Sequence, residues 1–313
     1  MISIWVVGSL NVDLVVDVPR FPDPGETLHG TSFQTFLGGK GGNQAIALAR
    51  LGAAPRMVGR VGSDQFGHRY LDALQKESVN TDGVKVVPDQ TTGTALIEVD
   101  TTGQNRIVVV SGANGAMDPS STLADLDHVA PGDLVLMQLE IPFETVLAVI
   151  TFTHNRGATV IMDPAPAAEF PRDIMSCIGW ITPNEYEASV TTGREIRGEA
   201  GLRDATVALL DRGCAAAIVK AGARGAFLAT REDPQPRHIP NFSVEAVDTT
   251  AAGDAFNGGL AWALSRGQTP DEAVRTANAV AALSVTGKGA QTAMPRESDL
   301  KRFLLQQSRG PAA

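Results

Sequence analysis

LVLMQLEIPFETVLAVITFTHNRGATVIMD, Leu134–Asp163, is the stretch that decides the fold. It opens with a short, nearly unbroken apolar run, Leu134–Gln138, and closes with another, Val160–Asp163. Strands wetted on one face alternate apolar with polar residues, whereas strands covered on both faces do not. Between the runs, Phe143–Arg156 has helical period. A buried strand, a helix and a second buried strand make a parallel crossover unit. The pattern recurs along the chain. Ile4–Val7, Met57–Val61, Trp180–Thr182 and Ala217–Lys220 read as further buried strands, and Asn43–Leu51, Glu185–Thr191 and Leu202–Arg212 as helices between them. This predicts an α/β fold, a doubly wound and mostly parallel sheet flanked by helices.

Two regions break the rhythm. Leu14–Phe36 and Thr94–Val110 alternate apolar and polar residues around turns at Pro22–Gly25 and Thr101–Gly103. They predict antiparallel ribbons in a small projecting β-sheet, placed as a lid or a dimer surface. A single domain over residues 1–313 is expected, with lid segments at approximately 13–36 and 91–112. The tail SRGPAA, Ser308–Ala313, is expected to fray.

Composition narrows the function classes. The chain has 313 residues, 43% hydrophobic and 19% charged, with a formal net charge of −9. Such an acidic chain without Lys/Arg runs binds nucleic acid or an anionic membrane poorly. Any phosphate must therefore be held locally, by amides and a few cations. The two cysteines, Cys177 and Cys214, sit in apolar contexts as reduced thiols, and the five histidines show no metal-ligand spacing. The N-terminus lacks a basic signal-peptide region and no apolar run reaches membrane-spanning length, so a cytoplasmic protein is expected.

Four segments carry chemistry. In VDTTAAGDAFNGGLAWAL, Val247–Leu264, Thr249 or Thr250 is placed to cap a helix whose first turn holds Ala251, Ala252, Gly253 and Asp254. Small residues leave the first amides bare, and bare amides at a helix start bind anions. FLGGKGGNQAIALARLGA, Phe36–Ala53, brings glycines before a helix that begins at Asn43, allowing close backbone approach to a ligand. It is neither a P-loop nor a dinucleotide fingerprint, which sets aside a nicotinamide dehydrogenase. In ITPNEYEASVTTG, Asn184 and Glu187 share one helix face, an amide and a carboxylate suited to hydrated Mg2+ and phosphate oxygens; taken alone, a helix cap with a solvated glutamate explains them better. VKAGARGAFL, Val219–Leu228, is a hairpin whose amides, with Lys220 and Arg224, can face a nucleotide.

The ordered set GSLNVD, PGET, GGKGGNQA, SGAN, MQLE, DPAPA, TPNE, VDTTAAGDAFNG and TGKGAQ resembles the PfkB-type carbohydrate kinases over essentially the whole chain, and within them the ribokinase group. That resemblance implies an ATP-dependent kinase phosphorylating ribose at O5, with Asp254 accepting the hydroxyl proton and Ala251, Ala252 and Gly253 holding the phosphoryl group. It implies sugar contacts from Asn11, Asp13, Gly39, Lys40, Gly41, Gly42, Asn43 and Glu140. ATP is implied between Asn184, Lys220, Gly222, Arg224, Gly225, Gly253 and Asn278, with Mg2+ organised by Glu187 through water. A K+ site is implied at Asp248, Thr250, Ser284, Gly287 and Gly289, with two departures: Gly287 replaces a common arginine, and Ala293 a serine whose hydroxyl bears on ion affinity. A homodimer through the β lid is implied as well. Asp254, at a helix start, is expected to have a lowered pKa. The alternatives are a same-fold kinase for 2-deoxyribose, a ketohexose, 2-keto-3-deoxygluconate or a nucleoside, and a non-catalytic sugar-binding regulator.

Overall fold

The crossover is present. Leu134–Met137 and Thr159–Met162 are adjacent parallel strands, in register from Leu134 opposite Thr159 to Met137 opposite Met162. The structure, a computed structural model, describes residues 2–308, so residues 309–313 of the tail expected to fray lie outside the described residues. In chain order the elements are β1 (Ile4–Val7), β2 (Asn11–Asp17), β3 (Ser32–Gly38), α1 (Lys40–Arg50), β4 (Arg56–Gly62), α2 (Gln65–Lys76), β5 (Asn80–Val87), β6 (Gly93–Val99) and β7 (Asn105–Val110). Then come α3 (Pro119–Asp125), β8 (Leu134–Met137), α4 (Phe143–Asn155), β9 (Thr159–Met162), α5 (Arg172–Cys177), β10 (Ile178–Ile181), α6 (Glu185–Thr192) and α7 (Gly198–Asp211). The chain closes with β11 (Ala216–Lys220), β12 (Ala226–Thr230), β13 (Arg237–Ile239), α8 (Ala252–Ser265), α9 (Pro270–Ser284) and α10 (Glu297–Ser308).

The main sheet has nine strands in the order β13-β12-β11-β10-β9-β8-β1-β4-β5. It is parallel from β5 to β11, and the β11–β12 and β12–β13 pairs are antiparallel. Both faces are covered. Ile4 and Val6 of β1 enter one core with Leu48, Trp262 and Val280, while Trp5 and Val7 enter the other with Val149, Leu202 and Leu209. Each such buried side chain contributes about 1.5–3 kcal/mol, which is why these strands read as unbroken apolar runs. Among the described residues no helix is long and apolar enough to cross a membrane.

Helix α8 is buried from Asp254 to Ala263. Its two glycines let it lie between neighbours. A Cβ on Gly258 would stand 2.7 Å from Ala47 Cβ of α1, and one on Gly259 3.0 Å from Val280 of α9. The NGG run is thus a close-packing device that brings α8 against α1.

The smaller sheet has four strands in the order β3-β2-β6-β7. The β2–β3 and β6–β7 pairs are antiparallel as expected, but the central pair β2–β6 is parallel, with Asn11 opposite Gly93. Both strands leave the main sheet outward, one after β1 and the other after Thr92, so they run the same way. On this sheet Phe33, Leu96, Ile107, Val108, Val109 and Val110 are exposed.

Candidate active site

Parallel sheets bind ligands beyond the carboxyl ends of their strands, beside the point where strand order reverses. Here β1 has β8 on one side and β4 on the other, and the polar residues cluster at that seam. Ser9 and Asn11 follow β1, Gln138 and Glu140 follow β8, Asp163 follows β9, Asn184 follows β10, and Lys220 ends β11.

On the side reached by β2, Asn11 is buried, and its Oδ1 accepts from Asn114 Nδ2 at 2.7 Å. Asn114 also bonds both backbone groups of Leu10, so Asn11 is fixed with its Nδ2 as the unused donor. Glu140 Oε2 accepts from Ser9 Oγ at 2.5 Å and from the Lys40 amide at 3.0 Å, which ties β8 to the start of α1. Burial, aided by Glu140 and Asp254, pushes the Asp13 carboxyl up to about 7. Burial alone would lower the Lys40 ammonium, but Asp254, Asp163, Glu140 and Glu187 hold it above its ordinary value.

The glycine segment differs from expectation. Helix α1 starts at Lys40, not Asn43, and its glycines approach protein rather than leave a space for ligand alone. A Cβ on Gly41 would lie 2.7 Å from the Gly8 carbonyl carbon, and one on Gly42 1.9 Å from Tyr70 Oη. Gly39, at φ 81°, turns the chain from β3 into α1. Fully buried Tyr70 donates to the Gly38 carbonyl and accepts from Gln291 Nε2 at 2.7 Å.

Asp254 is 3% exposed. Its Oδ2 accepts from Asn43 Nδ2 at 2.9 Å and its Oδ1 from Gln44 Nε2 at 3.2 Å. Neither Thr249 nor Thr250 caps α8: the cap position is Ala251, in the left-handed region at φ 59°, with no side-chain bond. Thr250 is occupied elsewhere, by Asp248. The Ala252 amide donates to Thr249 O at 3.2 Å, while the amides of Gly253 and Asp254 have no acceptor among the described residues. A left-handed alanine at a cap is a strained choice of the kind found at functional turns. The expected lowering of the Asp254 pKa is overturned. Burial raises it to about 6, with Asp163 and Glu140 adding to the rise and Lys40 and Asn43 opposing it. A helix start contributes at most about 2 kcal/mol, roughly 1.5 pH units, whereas full burial shifts a carboxylate by about 3–5 units. Burial wins.

Across from Asp254, Lys220 Nζ lies 2.9 Å from Asp163 Oδ1, and a Cβ on Gly253 would stand 3.4 Å from that ammonium. Lys220 therefore faces the first turn of α8, whereas Arg224 points away and pairs with Glu185 at 2.6 Å. Asn184 and Glu187 form a reciprocal cap: Glu187 Oε2 accepts from the Asn184 amide at 2.7 Å, Oε1 from Asn184 Nδ2 at 2.8 Å, and Asn184 Oδ1 accepts from the Glu187 amide at 2.9 Å. The glutamate is buried rather than solvated, which raises its pKa against the pull of Lys220. Gly225 is pressed onto Ile239 O, Gly222 faces open space, and Asn278 Nδ2 donates to Ile239 O and Pro240 O.

At the foot of α8, Asp248 Oδ1 accepts from the Thr250 amide at 2.9 Å and Thr250 Oγ1 at 2.6 Å, while Oδ2 accepts from the Gly289 amide at 2.8 Å. Burial opposes its charge, but these donors and Lys288 hold the carboxyl below its ordinary value. Asp248, Thr250 and Gly289 are thus brought together. Ser284 is the last residue of α9 and Gly287 lies between it and Gly289, and the two departures are neighbours: a Cβ on Gly287 would lie 3.2 Å from Ala293 Cβ.

Residues 1–297 match the pfkB family carbohydrate kinase profile. The chain belongs to the pfkB family of carbohydrate kinases. It is 40% identical over 304 residues to the ribokinase of Bacillus subtilis (strain 168), covering 97% of this chain and 100% of that one. It is 35% identical over 303 residues to the deoxyribokinase of Salmonella typhi, covering 96% and 98%. Among solved structures it resembles the Arabidopsis thaliana ribokinase complexed with ribose and ATP, at TM-score 0.90 and 32% identity over 97% of this chain and 99% of that one.

For this pfkB-family kinase the site carries a stability consequence. Asp13 and Asp254 have folded pKa values of about 7 and about 6, above the unfolded value of about 3.9. Their favourable contribution is complete below about pH 4 and is lost as pH rises through 6 and 7. Asp13→Asn and Asp254→Asn fix the neutral state. Each should raise the unfolding free energy by about 1–3 kcal/mol at pH 8 and leave it unchanged near pH 3.5. Thermal unfolding at the two pH values checks this; equal midpoints for wild type and variants at pH 8 would contradict the burial reading.

Proposed function

We propose that this kinase transfers the γ-phosphoryl group of ATP to O5 of D-ribose. One observation carries the reading. A buried carboxylate, oriented by two amide side chains, sits at a helix start where the Gly253 and Asp254 amides lack acceptors among the described residues and whose first turn faces a lysine. Asp254 takes the O5 proton as O5 bonds to the γ-phosphorus, and the bond from that phosphorus to the β-bridging oxygen breaks, its electron pair leaving on ADP. The amides of Gly253 and Asp254, with Lys220, neutralise the phosphoryl charge. Phosphoryl transfer depends on positioning and charge neutralisation more than on a strong base, and a base of pKa near 6 is ionised at neutral pH.

Asn11, Asp13, Lys40, Asn43 and Glu140 suit a neutral polyol, offering carboxylate acceptors together with the Asn11 Nδ2 donor and a buried Asn43 Oδ1 that has no partner among the described residues. ATP is assigned to the side of the sheet that carries Asn184, Gly222, Arg224, Gly225 and Asn278, where Gly222 faces open space. Mg2+ supplies charge neutralisation on the triphosphate when bound. Both Glu187 oxygens already accept from Asn184, so the glutamate suits an ion reached through water. K+ supplies a fixed positive charge behind the anion site when bound. The anionic Asp248 and the oxygens of Thr250, Ser284, Gly287 and Gly289 fit a large monovalent ion, and activity in potassium above that in a choline buffer tests the assignment. The four-stranded sheet, with segments near 13–36 and 91–112, is assigned as a lid within a single domain. Its exposed apolar strand Asn105–Val110 supports a homodimer, which sedimentation velocity tests.

The sugar reading turns on Asn11. Its Oδ1 is taken by Asn114, so its Nδ2 is left to donate to a ligand, and a sugar bound over it would bury that donor; a ribose hydroxyl supplies the acceptor that 2-deoxyribose lacks. Leaving that donor unpaired costs about 1–3 kcal/mol, or about 5- to 150-fold in kcat/KM. ADP release across pentoses, deoxyribose, hexoses and nucleosides should therefore favour ribose, and Asn11→Met should narrow the ribose-to-deoxyribose ratio. A wild-type preference for deoxyribose would favour the second reading, to which the Salmonella typhi relative points.

Asp254→Asn preserves shape and removes the proton acceptor. Its kcat should fall about 10²–10⁴-fold with ribose binding kept, and the wild-type kcat should decline below about pH 6. Near wild-type turnover in the variant would remove Asp254 from the chemistry.

A further inference from the structure

We propose that Gln44 and Asp163 are positioning residues that hold the proton-accepting Asp254 and the Lys220 ammonium in one frame at the start of α8. The inference rests on the kinase reading and adds to it the parts that keep base and cation apart. Gln44 stands on α1 between two carboxylates. Its Nε2 is 3.2 Å from Asp254 Oδ1 and 3.5 Å from Asp163 Oδ2, so one amino group offers a hydrogen to each. Its Oε1 accepts from Gln138 Nε2 at 2.7 Å. That bond sets the amide's orientation, because the flipped form would aim a carbonyl at both carboxylates. Gln138 in turn fits only because position 8 is glycine: a Cβ there would stand 2.0 Å from Gln138 Oε1. Beyond Asp163 the line continues to Lys220 at 2.9 Å and so to the first turn of α8.

Two failures are averted by this arrangement. Carboxylates that approach without a donor between them share a proton, which would take the base out of service. A lysine on a flexible stem beside an anionic base would pair with that base. Asp163 holds Lys220 back from Asp254, and the Gln44 amide spaces Asp163 from Asp254 while satisfying both. Asp254 is also faced by Lys40 of α1, Glu140 after β8, Asp13 of β2 and Tyr70 of α2, with Glu187 of α6 acting on Lys40. Gln44 is the neutral group in direct contact with both carboxylates.

Two near-isosteric variants of the full chain test this, Gln44→Met and Asp163→Asn. The readouts are the pH dependence of kcat with saturating ribose and ATP, and ribose affinity by calorimetry. In Gln44→Met the acid limb should move up by about one pH unit, from about 6 to about 7, with kcat down roughly twofold at pH 7 and roughly eightfold at pH 5.5, and ribose Kd within about threefold. Asp163→Asn should lose about 10- to 100-fold in kcat with ribose Kd similarly kept, and the double variant should lose less than the product of the two losses. Should Gln44→Met fail to fold, Gln138→Met removes the bond that orients the amide and should move the same limb. Acid limbs coincident with wild type together with kcat within about threefold, or losses confined to ribose KM, would overturn the proposal. A wild-type protein that releases no ADP with any sugar would instead overturn the kinase reading itself.

Discussion

Much of this structure depends on keeping one carboxylate, Asp254, buried and usable at the start of α8. Moving an unpaired carboxylate out of water is prohibitive, so the chain must supply donors from elsewhere. Asn43 and Gln44 do so from α1. Those amides reach it only because Gly258 lets α8 close on Ala47. Helix α1 is held in turn by Glu140 on its first amide and by Gly41 packing on the β1–β2 turn. The sheet order matters for the same reason, since it sets Glu140, Asp163 and Lys220 at the ends of β8, β9 and β11, on one edge of the sheet beside that helix pair.

Strands with both faces covered were the most legible part of the fold. Ile4–Val7 coincides with β1, and the Leu134–Asp163 unit appears with its helix and its parallel partner. Strands near the sheet margin were harder to see. Asn80–Val87 carries NTDG and is mostly half-buried or exposed, so it lacks an apolar run. Arg237–Ile239 has three residues and is defined by its pairing with β12. Ribbons were legible as ribbons, but their mutual direction was not. Whether β2 and β6 run together depends on where each leaves the main sheet, which is tertiary information.

The site was legible in its motifs and less so in the division of labour among them. Glycines in GGKGGN announce close approach but not what approaches, and here much of it is Ser9, Gly8 and Tyr70. Asn114, Gln138, Asp163 and Gln44 all stood within SGAN, MQLE, DPAPA and GGKGGNQA, yet nothing local marks an amide as a bridge between carboxylates. Lys220 and Arg224 look equivalent on one hairpin. The strand end turns the first toward Asp163 and the open turn leaves the second to Glu185.

The raised pKa of Asp254 shows why local rules fail at such a point. A helix start and two amide donors both favour the ionised form, and from sequence they are the visible terms. What they compete with is desolvation, which depends on Trp262, Leu260 and Phe256 carrying the helix into the core. Acidic neighbours then decide the remainder. Asp13 and Glu140 gather beside it, and their field disfavours a further charge; Lys40, held protonated by the same acids, offsets part of it. A carboxylate on an exposed helix start would be a permanently ionised and feeble base. Burial among acids, relieved by one lysine, moves it to a pKa at which it remains ionised at neutral pH and accepts a proton with less penalty. The chemistry of the site is therefore a property of the packing of α8, not of the AAGD motif alone.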